Sequence, residues 1–137
     1  MSIFVDTSVW SLALRRDAPP ELPEIHKLRR ALESGETCST GLVLQELLQG
    51  FSLPKAHKQI VEYFAALPLL VPDRDDHVNA AQLRNACRRK GVQIGTIDAL
   101  LAQLCIRYEL TMMTTDKDFL NIAPLVRLSV WTAGSQG

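Results

Sequence analysis

The chain has 137 residues, 47% of them apolar and 22% charged, and its fifteen basic side chains balance fifteen acidic ones. This length builds one domain with a real core and leaves little room for two. The neutral balance excludes a globally basic polyanion binder, so a nucleic-acid partner would have to be held by a local basic patch or by bound metal. Cys38, Cys87 and Cys105 are odd in number, lack a CxxC spacing and lie in apolar surroundings, as reduced cytosolic thiols do. No secretory h-region develops before Asp6, and no apolar run approaches a membrane span. A cytoplasmic protein is expected.

In chain order, residues 2–6 are a β-rich apolar run that predicts a buried central strand. Thr7 and Ser8 are placed to cap a helix over 8–15. Ala18-Pro-Pro20 and Pro23 break the chain before a helix over 21–34, which Gly35 stops. A short strand is expected over 36–40. Apolar residues at 43, 44, 47, 48 and 51 mark a helix over 41–51, and Pro54 suits the first turn of another carrying Ile60, Phe64 and Leu67. Residues 67–71 read as an edge strand with Pro68 near its start. Asp73 to Asp76 open a helix that runs to Lys90 and closes at Gly91.

Thr96 can cap a further helix whose Ile97, Leu100, Leu101, Leu104, Cys105 and Tyr108 make a broad apolar stripe, so burial is expected there. Strands over 111–115 and 126–131, with a short helical turn between them, complete the series. Such alternation predicts an α/β fold: a single-domain three-layer α/β/α sandwich with a parallel sheet of about five strands. Residues 1–132 form the expected domain, and 133–137 a flexible tail.

Four acids stand out: Asp6, Glu46, Asp98 and Asp116. Each falls where a strand gives way to a helix, or on the helix that follows. In a parallel sheet the carboxyl ends of the strands share one edge, so acids far apart in sequence can converge there. Taken singly, Asp6, Asp98 and Asp116 are explained by helix capping or the helix dipole. Glu46 is not, because it lies beside the apolar face of its helix, where a carboxylate partly withdrawn from water needs a partner. Together the four would repel one another unless a cation sat among them, and Mg²⁺ or Mn²⁺ takes all-oxygen sites of this kind. A metal so held activates water and neutralises charge on phosphate, which is the equipment of a phosphodiester hydrolase.

The segments IFVDTSVW at 3–10, LQE at 44–46, GTIDAL at 95–100 and TTDKDF at 114–119 resemble the PIN-domain ribonucleases, in particular the VapC toxins of bacterial type II toxin–antitoxin pairs. The likeness runs from about residue 2 to 131 in the family's order. It implies a PIN-like fold and a divalent-metal-dependent endoribonuclease that leaves 5′-phosphate and 3′-hydroxyl ends. It further implies a homodimer and a cognate antitoxin that silences it. The family's acidic quartet falls on Asp6, Glu46, Asp98 and Asp116, with Asp6 and Asp98 as the principal metal holders. Asp118 matches a further acid, and Thr114 is a candidate to orient the site through its hydroxyl, as are Thr7 and Ser8, for which capping is the favoured role.

Arg15, Arg16, Arg84 and Arg88 are candidates for RNA phosphate contacts, set against a solvated helix face. Asp73, Asp75, Asp76 and His77 look like a metal cluster but sit where a helix N-terminus is expected. No GxGxxG, Walker or GxSxG motif is present, so a nucleotide cofactor and a serine nucleophile find no support. Two rival readings remain. A haloacid-dehalogenase-like phosphatase needs DxDxT, and its second Asp is absent after Asp6. A receiver-like or catalytically silent binding module has to account for all four acids.

Overall fold

The computed structural model describes residues 2–134 except Arg16, Ala18 and Pro20. The Ala18-Pro-Pro20 break falls largely outside the described residues, as do Arg16 and positions 135–137 of the expected tail. Five short strands form one parallel sheet: β1 (Ile3–Val5), β2 (Thr37–Thr40), β3 (Leu69–Leu70), β4 (Thr111–Met113) and β5 (Val130–Trp131). Their spatial order is β3-β2-β1-β4-β5. Ile3 pairs with Thr37 on one side and Thr111 on the other, so β1 is central, as its unbroken apolar run predicts.

Seven helices join these strands among the described residues. Right-handed crossovers place those between β1 and β3 on one face and those between β3 and β5 on the other. The first group is α1 (Thr7–Leu14), α2 (Pro23–Glu33), α3 (Gly41–Gly50) and α4 (Pro54–Ala65); α1 packs on α2 and α3, and α3 on α4. The second is α5 (Arg74–Arg89), α6 (Thr96–Arg107) and α7 (Lys117–Val126), with α5 against both others. The three-layer architecture is the one expected. Winding leaves β1 toward β2 and leaves β4 toward β5, so the topology switches between β1 and β4, and a crevice opens outside their carboxyl ends.

The core lies between the layers. Phe4, Val5, Met112 and Met113 of the central strands are fully buried, and Trp10 packs on Phe64 with ring centroids 5.0 Å apart. All three cysteines are free and buried. Gly35 and Gly91 take φ of 73° and 81° just beyond α2 and α5, the left-handed conformation that ends a helix most easily at glycine.

Several expected boundaries move. Pro23 begins α2 rather than breaking the chain before it, consistent with a first-turn residue whose amide proton would be unpaired anyway. The edge strand shrinks from 67–71 to Leu69–Leu70, and β4 stops at Met113 instead of 115. The short turn expected after β4 is the ten-residue α7, which contains Pro124, so the strand expected over 126–131 is only Val130–Trp131. Burial of Phe119 and Ile122 holds α7 together although Pro124 has no amide proton to give. On α6, Ala99, Leu100, Leu101, Ala102, Leu104 and Cys105 are buried, whereas Ile97 and Tyr108 are exposed and fall off the expected stripe.

Asp73 and Asp76 behave as helix-terminal acids. Each side chain accepts a hydrogen bond from the other's backbone N–H at 2.9 Å, a capping box at the start of α5. Asp76 is also 2.6 Å from the Arg107 guanidinium at the end of α6 and is 1% exposed, so this pair pins the antiparallel α5–α6 layer. Asp76→Ala is expected to cost about 2–3 kcal/mol in urea unfolding, since it removes the N3 half of the capping box and a buried ion-pair partner. Exposed Asp75→Ala should stay within about 0.5 kcal/mol of the parent.

Candidate metal centre

Asp6 ends β1 and is the N-cap of α1, with φ −69° and ψ 157°. Asp116 holds the equivalent place after β4, as the N-cap of α7. Each carboxylate accepts from the backbone N–H two residues ahead: Asp6 Oδ2 from Ser8 at 3.4 Å, Asp116 Oδ1 from Asp118 at 2.9 Å. Because β1 and β4 are neighbours, joined here by the Asp6 N–H donating to the Met113 carbonyl at 2.9 Å, the two caps stand side by side at the switch point.

Asp98 enters from the first turn of α6, whose N-cap is Gly95 rather than the expected Thr96. Oxygens of Asp98, Asp116 and Asp118 all lie within 4.8 Å of one another. The Asp98 carboxyl is pushed up to about 6, first by burial and then by the charges of Asp6, Asp116, Glu46 and Asp118. The four acids and Asp118 therefore share one electrostatic site. Asp118, assigned only a possible supporting role from sequence, belongs to the tightest set of oxygens, from which Asp6 is absent.

Glu46 differs from its expectation. It is exposed rather than partly withdrawn from water, because the core-facing side of α3 is carried by Val43 and Leu47. Its partner is Thr7, whose hydroxyl donates to Oε1 at 3.2 Å. Thr7 and Ser8 are likewise not the caps of α1. The Ser8 hydroxyl donates to Asp6 Oδ2 at 2.8 Å and accepts from the Thr115 N–H at 3.0 Å. Thr114, 8% exposed, donates to the same Asp6 oxygen at 2.9 Å and accepts from the Asp116 N–H at 2.9 Å. The signal that could have found these roles was the dipeptide after Asp6, two hydroxyls where one cap would suffice.

The N-termini of α1 and α7 are capped by Asp6 and Asp116, and α6 carries Asp98 in its first turn, so the positive dipole ends of three helices lie beside these anions. No basic side chain helps. Among the described residues the only Lys or Arg ion pairs are those of Arg107 with Asp73 and Asp76. An all-carboxylate donor set whose central member is driven toward protonation fits a hard divalent cation, which would relieve both repulsion and desolvation.

The basic candidates are scattered. Arg84 donates from Nε to the Ile94 carbonyl at 2.8 Å and lines a cavity of about 740 Å³ with Thr96 and Ile97, one turn from Asp98. Arg88 is exposed and donates to Asn85 at 3.0 Å. Arg15 borders a different cavity, of about 500 Å³, with Trp10 and Tyr63. The acids line neither of these two cavities.

The fold is that of a doubly wound parallel α/β protein with an oxygen-rich cluster at its switch point, the donor chemistry that a hard cation takes. The sequence matches the PIN domain family over residues 3–125, and the chain belongs to that family. A search of curated proteins gave no match. Among solved structures, FitAcB from Neisseria gonorrhoeae is 22% identical, with 96% of this chain and 97% of that one covered at a TM-score of 0.74. VapBC2 from Rickettsia felis, bound to a DNA fragment from its promoter, is 21% identical over 96% and 98%, with a TM-score of 0.72. VapBC-5 from Mycobacterium tuberculosis, of the VapBC family of toxin–antitoxin systems, is 19% identical over 95% and 98%, with a TM-score of 0.64. These likenesses are of fold.

The raised Asp98 carboxyl has a consequence for stability. Its ordinary value is 3.8 and its folded value about 6, so between these the folded state binds more protons than the unfolded one. Stability of the metal-free protein should therefore fall as pH rises through that window and level off above it. Asp98→Asn should raise the melting temperature in EDTA at pH 7 and leave it nearly unchanged at pH 4. Thermal unfolding across this range checks both, and Mn²⁺ should stabilise the unaltered protein more than the variant at pH 7.

Proposed function

We propose that this protein is a divalent-metal-dependent endoribonuclease of the VapC toxin type. The observation that carries the proposal is the convergence of Asp6, Glu46, Asp116 and Asp118 on Asp98, with no ion pair to any of them among the described residues. Asp98, Asp116 and Asp118, with Asp6 beside them, would hold Mg²⁺ or Mn²⁺. When bound, the ion lowers the pKa of a coordinated water and offsets charge on the phosphate.

The chain's own contribution is positional. Asp6 and Asp116 are fixed by their caps, so neither has to reorganise during reaction. Glu46 is exposed and tethered by Thr7, with acceptor oxygens at the solvent side of the cluster. There it can orient a water for in-line attack and take its proton, leaving 5′-phosphate and 3′-hydroxyl ends. No side chain forms a covalent intermediate. Of Arg15, Arg84 and Arg88, Arg84 on the wall beside the Asp98 turn is the best placed to contact a substrate phosphate.

The similar structures are FitAB and VapBC complexes, and this supports a cognate antitoxin as partner, its segment lying across the acids and excluding RNA. A homodimer and a cytoplasmic location belong to the same proposal. No described helix is long and apolar enough to cross a membrane.

The test is cleavage of purified cellular RNAs by the antitoxin-free protein with Mg²⁺, Mn²⁺ or EDTA. Asp6→Asn and Asp98→Asn, shown folded by circular dichroism, should each lose at least about a hundredfold in rate, as expected when transition-state charge stabilisation is removed. Glu46→Gln should lower kcat with less effect on ion binding. Cleavage that persists in EDTA or in both Asn variants overturns the proposal.

A further inference from the structure

We propose that Ser8 and Thr114 are positioning residues that confine Asp6 to one ligand oxygen and so bias the site toward a small octahedral cation over Ca²⁺. The inference rests on the metal-dependent reading above and concerns which ion that site accepts.

Asp6 Oδ2 receives the Ser8 hydroxyl at 2.8 Å, the Thr114 hydroxyl at 2.9 Å and the Ser8 N–H at 3.4 Å. A carboxylate oxygen has about two lone-pair sites, so three donors fill this one. None of these bonds falls on Oδ1. Asp6 is 6% exposed and acts as the helix cap, so it is poorly placed to turn its full oxygen on.

The two hydroxyls are not free to let go. Each accepts a backbone N–H from the segment that leaves β4, Ser8 from Thr115 and Thr114 from Asp116. Their oxygens lie 3.2 Å apart, close enough for either to donate to the other, and both are within hydrogen-bond reach of the same Asp6 oxygen, to which each donates. Loss of either leaves a backbone N–H without its acceptor and frees the Asp6 carboxylate to rotate. Asp116 is restricted in a lesser way, since Oδ1 takes the Asp118 N–H and leaves Oδ2 available.

Ion size makes this restriction selective. Ca²⁺ takes 6–8 oxygens and readily uses both oxygens of one carboxylate, whereas Mg²⁺ demands octahedral order with one oxygen per carboxylate and several waters. Mn²⁺ shares the octahedral oxygen preference. A site in which Asp6 offers one oxygen, and Asp116 has one of its two engaged, suits the second demand and denies Ca²⁺ ligands it would otherwise use.

The test is Mn²⁺ binding by calorimetry and by electron paramagnetic resonance on the whole chain, with Ca²⁺ as competitor. Thermal melting is measured on every variant. The unaltered protein should prefer Mn²⁺. Ser8→Ala should lower Mn²⁺ affinity about tenfold, the usual effect of removing a group that orients a metal ligand, and should narrow the Mn²⁺-to-Ca²⁺ ratio. Thr114→Val should act in the same direction, and Thr114→Ser, which keeps the hydroxyl, should restore parental values. An unchanged affinity ratio in folded Ser8→Ala, with only a lower melting temperature, overturns the proposal and leaves the hydroxyls as structural braces. Failure of the unaltered protein to bind Mn²⁺ overturns the metal site itself, and this proposal with it.

Discussion

Repulsion between like charges is the constraint around which this molecule is arranged. Five carboxylates meet where β1 and β4 end, and the fold answers them with backbone dipoles rather than with basic side chains. Dipoles of this sort are rigid and desolvated in advance, but each helix terminus carries only about half a charge. Compensation is therefore partial, and Asp98, the most crowded acid, carries the remainder. The site remains poised for a cation because the protein stops short of neutralising itself. Stability to hold that tension comes from elsewhere, from the buried central strands and from the Asp73–Asp76–Arg107 knot on the far end of α5.

The segment Asp6-Thr7-Ser8 links more of the site than any other. Asp6 joins the acids, Thr7 reaches across to Glu46 on α3, and Ser8 binds the chain leaving β4. These contacts span 39 and 107 residues of sequence, so one turn of polypeptide sets the relation between both halves of the sheet. That turn follows the central strand, whose neighbours on both sides prevent it from shifting.

Much of this was legible in the sequence. Strand–helix alternation pointed to the parallel sheet, and acids at strand ends marked where carboxylates come together, because both depend on local signals: periodicity, capping and burial of apolar runs. What escaped depended on tertiary contact. Glu46 looked half-buried on a helical projection, but the core-facing side of α3 is narrower than its apolar pattern, and the Thr7 contact has no sequence signature. The helix α7 was expected only as a short turn; it runs for ten residues through Pro124, and burial of Phe119 and Ile122 holds it together. Ile97 was counted with the buried stripe, yet it lies at the helix start beside a cavity that its side chain helps to line. Thr7 and Ser8 were mistaken for caps because capping is the commoner use of a hydroxyl there.

In Asp6 and Asp116 one side chain serves as both helix cap and site acid. Mutational drift is thereby channelled. Asparagine, one nucleotide away from aspartate, caps a helix nearly as well while giving up the charge. Alanine, also one nucleotide away, removes the cap as well and loosens the helix behind it. A lineage losing these charges would accordingly pass more easily through asparagine, and would arrive at a copy with the same helix starts and a less crowded cluster of anions.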